Sequence, residues 1–258
     1  MASTAQDKAL DILAIAAHRD DVEQTCGGTL LKASQHGQST GILDLTRGEM
    51  GTRGGAEDRE REANDAGRIL GVKWRRALDI PDGRVENTWE NRLKVAAVIR
   101  ETHPRVVILP YWKGRHPDHY TASVLGYEAC FLAGLAKLEV SGPGAEGRTQ
   151  ETSIASLPPH RPFKIIYATL YYDIRPTFVV DISDHFEQKF ASILAYNSQF
   201  SDQDAGKDLF PAHQEIRARV DAMARFYGML GGVTYAEPFL QKEVGLVDDL
   251  LAIPVKSI

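Results

Sequence analysis

The sequence predicts an α/β fold with a mostly parallel sheet, because short apolar runs of strand length alternate with longer amphipathic segments through its first half. Glycine or proline closes several of those segments: Gly37, Gly71 and Pro104 each stand just past a helical pattern. The spacing is that of successive strand and helix units, which stack into a doubly wound, Rossmann-like sheet.

Taken in order, residues 12–17 read as a strand, 22–36 as a helix closed by Gly37, and 40–45 as the next strand. Residues 58–70 are helical by charge and apolar spacing and end at Gly71. Residues 75–80 form a short strand, 90–102 a helix stopped before Pro104, 106–109 a strand and 120–138 a helix. Residues 140–162 turn Gly-, Pro- and Ser-rich and are expected to form a long loop over the mouth of a site. Strands follow at 164–172 and 177–181, then helices at 184–200 and 215–230. These C-terminal strands and helices are expected to complete a single domain over residues 1–258. No GxGxxG follows the first strand, so the fold carries no expectation of a dinucleotide and speaks against a dehydrogenase.

Composition narrows the function classes. The 258 residues are 43% hydrophobic and 25% charged, ordinary globular proportions. A net charge of -5 without a clustered Lys/Arg stretch excludes a nucleic-acid footprint. No apolar run approaches the roughly 18 residues that cross a bilayer, so no membrane partner is expected. The opening MASTAQDKALD lacks the charged start and apolar core of a signal peptide, which points to the cytoplasm. The two cysteines, Cys26 and Cys130, are outside any CxxC pattern and read as small core residues.

Chemistry gathers at two strand ends. The first predicted strand runs into His18, Arg19, Asp20 and Asp21; the strand at 106–109 leads into Arg115, His116, Pro117, Asp118 and His119. Strand carboxyl ends line the crevice where open α/β sheets bind ligands. A catalytic zinc takes three nitrogen or oxygen ligands and leaves one position for water. His18, Asp21 and one histidine of the second cluster satisfy that need, leaving Asp20 as a general base. Fe(II) is the chief rival metal, and another divalent ion is chemically possible. Spacing leaves open which of His116 and His119 binds metal and which acts as acid, while Asp118 can orient one imidazole.

Other features have plainer readings. The remaining histidines, His36, His103, His160, His185 and His213, have no carboxylate at ligand spacing and read as structural or solvated. Gly27-Gly28 reads as close backbone packing, because no Lys-Ser/Thr follows it and carboxylates precede it. The run EDREREANDAGR reads as a solvated helix face, and Asp82 in IPDG as a turn residue. Tyr111 and Trp112 could line a sugar pocket or serve the core.

The ordered segments AAHRDDVEQTCGG, LTRGEMGTRGG, DREREANDAGRILGV, LDIPDG and PYWKGRHPDH resemble the motifs of the LmbE/PIG-L superfamily of zinc-dependent N-acetylglucosaminyl deacetylases. The later FVVDISDHFEQKFASILAYNSQF is similar to the bacillithiol-biosynthesis branch, BshB, and the likeness spans about residues 10 to 240. The resemblance implies His18, Asp21 and His119 as zinc ligands, Asp20 as general base and His116 as the acid that stabilises the oxyanion. It also implies substrate contacts near Arg59 and Asp82, an amino-sugar conjugate such as the malate-linked one as substrate, and a homo-oligomer, with a hexamer as one form. Arg19 stands where the family's first motif carries proline; the loop loses a fixed φ and gains a cation expected to favour an anionic aglycone. Other readings are an amidase for a mycothiol-type conjugate or antibiotic intermediate, and a metal- or sugar-binding protein without catalysis, which would have no need of Asp20.

Overall fold

The computed structural model describes residues 9–140, 157–170, 172–201 and 213–255. Its centre is one seven-stranded sheet in the order β3-β2-β1-β4-β5-β7-β6. The strands β1 (Ile12–Ala16), β2 (Thr40–Asp44), β3 (Trp74–Ala77), β4 (Val106–Pro110) and β5 (Lys164–Ala168) are all parallel. β7 (Ala236–Leu240) runs antiparallel between β5 and β6 (Phe178–Asp181).

Helices cover both faces, and side-chain alternation decides what each covers. Leu13, Ile15, Leu43, Val107 and Leu109 face the core shared with α4 (Trp89–Thr102) and α5 (Pro117–Ala133). Ala14, Ala16, Ile42 and Ile108 face Val22, Cys26 and Leu30 on the other side. Those last residues belong to α1 (Asp21–Thr25) and α2 (Gly27–Gln35) or to the break between them. Runs buried on both faces read as near-continuous apolar stretches, which is why β1, β2 and β4 are legible in the sequence.

Several expectations are corrected. The helix over 22–36 breaks at Cys26, where φ is -139° and ψ 17°. The break frees the α2 N-terminus, whose Gly28 and Thr29 amides donate to the buried Glu237 carboxylate at 2.9 and 2.7 Å. A Cβ on Gly28 would lie 2.9 Å from Ile182 and 3.1 Å from Glu237, so this glycine is a close approach. The helix expected from 120 begins at Pro117, a residue suited to a first helical position. The helix expected over 184–200 divides into α6 (Phe186–Leu194) and α7 (Asn197–Phe200), with Tyr196 buried at the join. β7 is absent from the sequence reading because Glu237 and Pro238 interrupt it. Pro238 pairs with Val179, while the ladder to β5 covers only Phe239 and Leu240. α3 (Ala56–Ile69) and α8 (His213–Gly231) stand close to where the sequence puts them. The expected strands at 75–80 and 164–172 end sooner, at Ala77 and Ala168. Of the expected loop at 140–162, residues 141–156 lie outside the described residues.

Glu237 ties β7 to two helices. Its carboxylate also meets Lys189 Nζ of α6 at 2.5 Å, and both side chains are buried. Removing one partner strands a buried charge, which typically costs about 3–5 kcal/mol. Glu237→Ala should therefore lose about that much in urea unfolding, and Glu237→Ala combined with Lys189→Met should lose less. A double variant as unstable as the single one would show that the stranded ammonium is not the cause.

Candidate active site

β1 and β4 are neighbours in register, Ile12 against Val106 through Ala14 against Ile108. The chain winds outward in opposite directions from this pair, so their carboxyl ends open the crevice at the switch point. His18 follows β1 by two residues, and His116 to His119 open α5 after β4.

Three candidate ligand residues converge there, Asp21 through both of its oxygens. His18 Nδ1 and His119 Nε2 are 3.1 Å apart, His119 Nε2 lies 3.2 Å from Asp21 Oδ1, and His18 Nδ1 lies 3.4 Å from Asp21 Oδ2. The edges of a tetrahedron around an ion with bonds of about 2.0–2.2 Å are roughly 3.3–3.6 Å, so these contacts have the scale of a cation site; the groups His18, His116, His119 and His18, Asp82, Asp118 are also spaced to hold an ion. The other nitrogen of His18, Nε2, meets Asp82 Oδ1 at 3.1 Å and Asp118 Oδ2 at 3.3 Å. Asp118 is held by the Gly83 and Val85 amides, and Asp82 by the Met50 amide. Metal-binding imidazoles commonly have such a carboxylate on their far nitrogen. Asp118 therefore steadies the imidazole of the first cluster, and Asp82 faces His18 directly.

The carboxylates Asp20, Asp21, Asp82 and Asp118 face two imidazoles and the single guanidinium of Arg59, an electrostatic setting that favours a bound cation. Burial pulls the His18 pKa down, but Asp21, Asp118 and Asp82 outweigh it and push it up to about 12. His119 is likewise raised, with Asp21 overcoming burial. Burial would raise the Asp21 carboxyl, yet the charges of His119 and His18 hold it well below the usual range. His116 moves down, through burial and then the neighbouring positive rings. Its Nδ1 accepts the Asp118 amide at 3.2 Å as the cap of α5. With Nδ1 accepting, the neutral ring carries its proton on Nε2.

Asp20 sits beside the trio. Its Oδ1 accepts from Arg59 Nη2 at 2.8 Å and its Oδ2 from Gln24 Nε2 at 3.3 Å. Arg59 is buried on the first turn of α3, against the Tyr196 ring, and a Cβ on Gly48 would crowd it at 3.1 Å. The run read as a solvated helix face thus has a buried side, which includes the charged residues Arg59 and Glu62. Arg19 departs from expectation as well: it is buried, donates to Ala56 O and lies 3.6 Å from Glu60, against α3 instead of at the mouth.

The sequence reading missed the clamp behind the motif. Arg75 Nη2 and the Tyr196 hydroxyl both donate to the Arg19 carbonyl. Arg75 is held in turn by Asp44 at 2.9 and 3.0 Å and by Glu23 at 2.6 Å. An arginine on the short, half-buried edge strand β3 was the available signal. A small cavity of about 20 Å³, room for one water, adjoins Asp21 and His119 and is otherwise walled mainly by apolar groups such as Val22, Ile108, Pro110 and Leu170.

Comparison with known proteins places these features in a family. The model of PIG-L, GlcNAc-PI de-N-acetylase, matches residues 13–130. A diacetylchitobiose deacetylase of Thermococcus kodakarensis is 34% identical over 237 residues, covering 88% of this chain and 80% of the relative. The crystal structure of a conserved protein of Thermus thermophilus, TT1542, superposes with a TM-score of 0.79 at 41% identity, covering 93% of this chain and 98% of that one. The N,N'-diacetylchitobiose deacetylase from Pyrococcus horikoshii gives 0.74 at 27% identity, covering 90% and 84%.

The ligand geometry yields a test that needs no substrate. His119→Ala should abolish stoichiometric uptake of Zn2+ measured by calorimetry and elemental analysis, whereas His116→Ala should retain it. Because His18 holds a proton below about pH 12, uptake must displace it, so affinity should rise between about pH 6.5 and 8.5. Equal uptake by both variants, or affinity flat with pH, would contradict the assignment.

Proposed function

Because the chain belongs to the PIG-L/LmbE deacetylase superfamily, we propose that it is a zinc-dependent N-deacetylase, cleaving the acetamide of an N-acetylglucosamine conjugate to acetate and a free amine. The observation that carries this reading is the meeting of His18 Nδ1, Asp21 and His119 Nε2 within 3.1–3.4 Å, with Asp20 adjacent. His18, Asp21 and His119 hold the metal, which when bound polarises a carbonyl and acidifies water.

Asp20 accepts the proton of the attacking water and delivers it to the departing nitrogen, so that one carboxylate serves as base and then acid. Arg59 and Gln24 fix one oxygen each, which sets the angle at which the carboxylate meets the water. His116 turns its Nε2–H to the tetrahedral oxyanion while Nδ1 stays on the α5 cap. Asp82 and Asp118 keep His18 oriented through Nε2. Arg59 is engaged on Asp20, and Arg19 lies against α3.

Acetate release from diacetylchitobiose and from the malate and inositol conjugates of N-acetylglucosamine, measured beside a simple acetamide, tests the substrate class. Sugar conjugates should exceed the acetamide by orders of magnitude, because remote contacts position the scissile bond. Comparable rates would leave an amidase of another class, such as one acting on a mycothiol-type conjugate or an antibiotic intermediate.

Two substitutions separate the roles. Asp20→Asn should keep zinc and lower kcat about a hundredfold or more; loss of zinc would make Asp20 a ligand. His116→Ala should lower kcat about a hundredfold with a smaller change in KM, as for a contact strongest in the transition state. An unchanged kcat would remove His116 from the mechanism.

A further inference from the structure

The guanidinium of Arg75 is saturated. Nε and Nη2 donate to the Asp44 carboxylate at 2.9 and 3.0 Å, and Nη1 donates to Glu23 at 2.6 Å and to the Ala63 carbonyl at 3.1 Å. The remaining Nη2 proton goes to the Arg19 carbonyl. All five donors of the fork therefore meet acceptors, drawn from β2, α1, α3 and the turn that follows β1. Tyr196, fully buried on the other side, gives its hydroxyl proton to the same Arg19 carbonyl.

That carbonyl is a lever on the site. Its oxygen shares a rigid peptide plane with the N–H and Cα of Asp20, so holding the oxygen fixes the direction in which the chain leaves Arg19. His18 precedes the plane, and Asp20 and Asp21 follow it. The helix that carries the partner of Asp20 is tied to the same turn: Ala63 O of α3 accepts from Arg75, and Ala56 O of α3 accepts from Arg19 Nη1 at 3.3 Å. Arg59, also on α3, then reaches Asp20 at 2.8 Å with its guanidinium 5.4 Å from the centre of the Tyr196 ring.

Buried charge clusters are poor sources of stability, because apolar residues of the same volume do as well. What a saturated fork adds is direction. We propose that Arg75 and Tyr196 are positioning residues that act through the Arg19 carbonyl, setting His18 and Asp21 for the metal and Asp20 for the water. The part that concerns Asp20 rests on the deacetylase reading; the part that concerns the ligands is measurable without substrate.

Zinc titration by calorimetry, on full-length protein shown by circular dichroism to be folded, is the first measurement. Tyr196→Phe keeps the ring beside Arg59 and removes one donor, and it should bind Zn2+ about tenfold more weakly, the scale for losing a group behind a ligand. Arg75→Lys keeps the charge but offers three donors to five acceptors, and it should lose at least as much. At saturating zinc, Tyr196→Phe should also lower kcat about tenfold with little change in KM, and that loss should vanish when Asp20→Asn is already present, because a missing base has no aim to lose. A merely structural tyrosine would reduce kcat by the same factor in both backgrounds. That equal loss, an unchanged zinc affinity in Tyr196→Phe, or wild-type affinity in a folded Arg75→Lys would overturn the proposal. A wild type that releases no acetate would sink the deacetylase reading and leave the zinc comparison to decide this one.

Discussion

The parallel ladder between β1 and β4 is the constraint on which the site depends. It joins segments about a hundred residues apart and decides that His18 and His119 meet. A slip of one residue would turn alternate side chains to opposite faces of the sheet. Leu13, Ile15, Val107 and Leu109 resist that slip, because it would carry them away from α4 and α5. The spacing of the three candidate ligand residues is therefore secured by apolar burial well below the site.

Behind the ladder, a buried polar cluster holds the loop that bears His18, Asp20 and Asp21. Arg75 shares its guanidinium between Asp44, Glu23 and the Arg19 carbonyl, and Tyr196 donates to the same carbonyl. Where proline would restrict φ by its ring, this chain restrains the neighbouring carbonyl with two buried donors. Two carboxylates sharing one cation leave their mark: burial raises Glu23, Arg75 opposes it and Asp44 adds to it, leaving Glu23 at about 7. A cluster of this kind is weak evidence for stability, since the desolvation of each charge offsets its attraction; its consequence is a defined backbone position.

The division of labour among the carboxylates follows from their partners. Asp21 faces both imidazoles, Asp82 and Asp118 take the far nitrogen of His18, and Asp20 alone is paired with arginine. A carboxylate held by one bidentate-capable cation and one amide keeps its orientation while leaving lone pairs free toward the crevice. His116 completes the set through the helix cap: because Nδ1 accepts an amide, the ring can offer only Nε2–H.

How much of this was legible depends on the range of the interactions. Periodicity and the carboxyl-end placement of His18, Asp20, Asp21, His116 and His119 disclosed the doubly wound sheet and its crevice, because local burial patterns and short-range turns write themselves into consecutive residues. The same local signals could not find β7, whose buried Glu237 and Pro238 make sense only beside α2 and β6. Nor could they show that Arg19 lies against α3, that Arg59 serves Asp20, or that Arg75 and Tyr196 meet at one carbonyl. In each case the partner comes from a distant element, and a long flexible cation is directed by whichever buried acceptor the folded chain brings within reach. The sequence by itself determined the kind of sheet and the residue types at its open end; tertiary packing alone decided which nitrogen faces which carboxylate, because that choice is made by atoms brought together only when β1 and β4 pair.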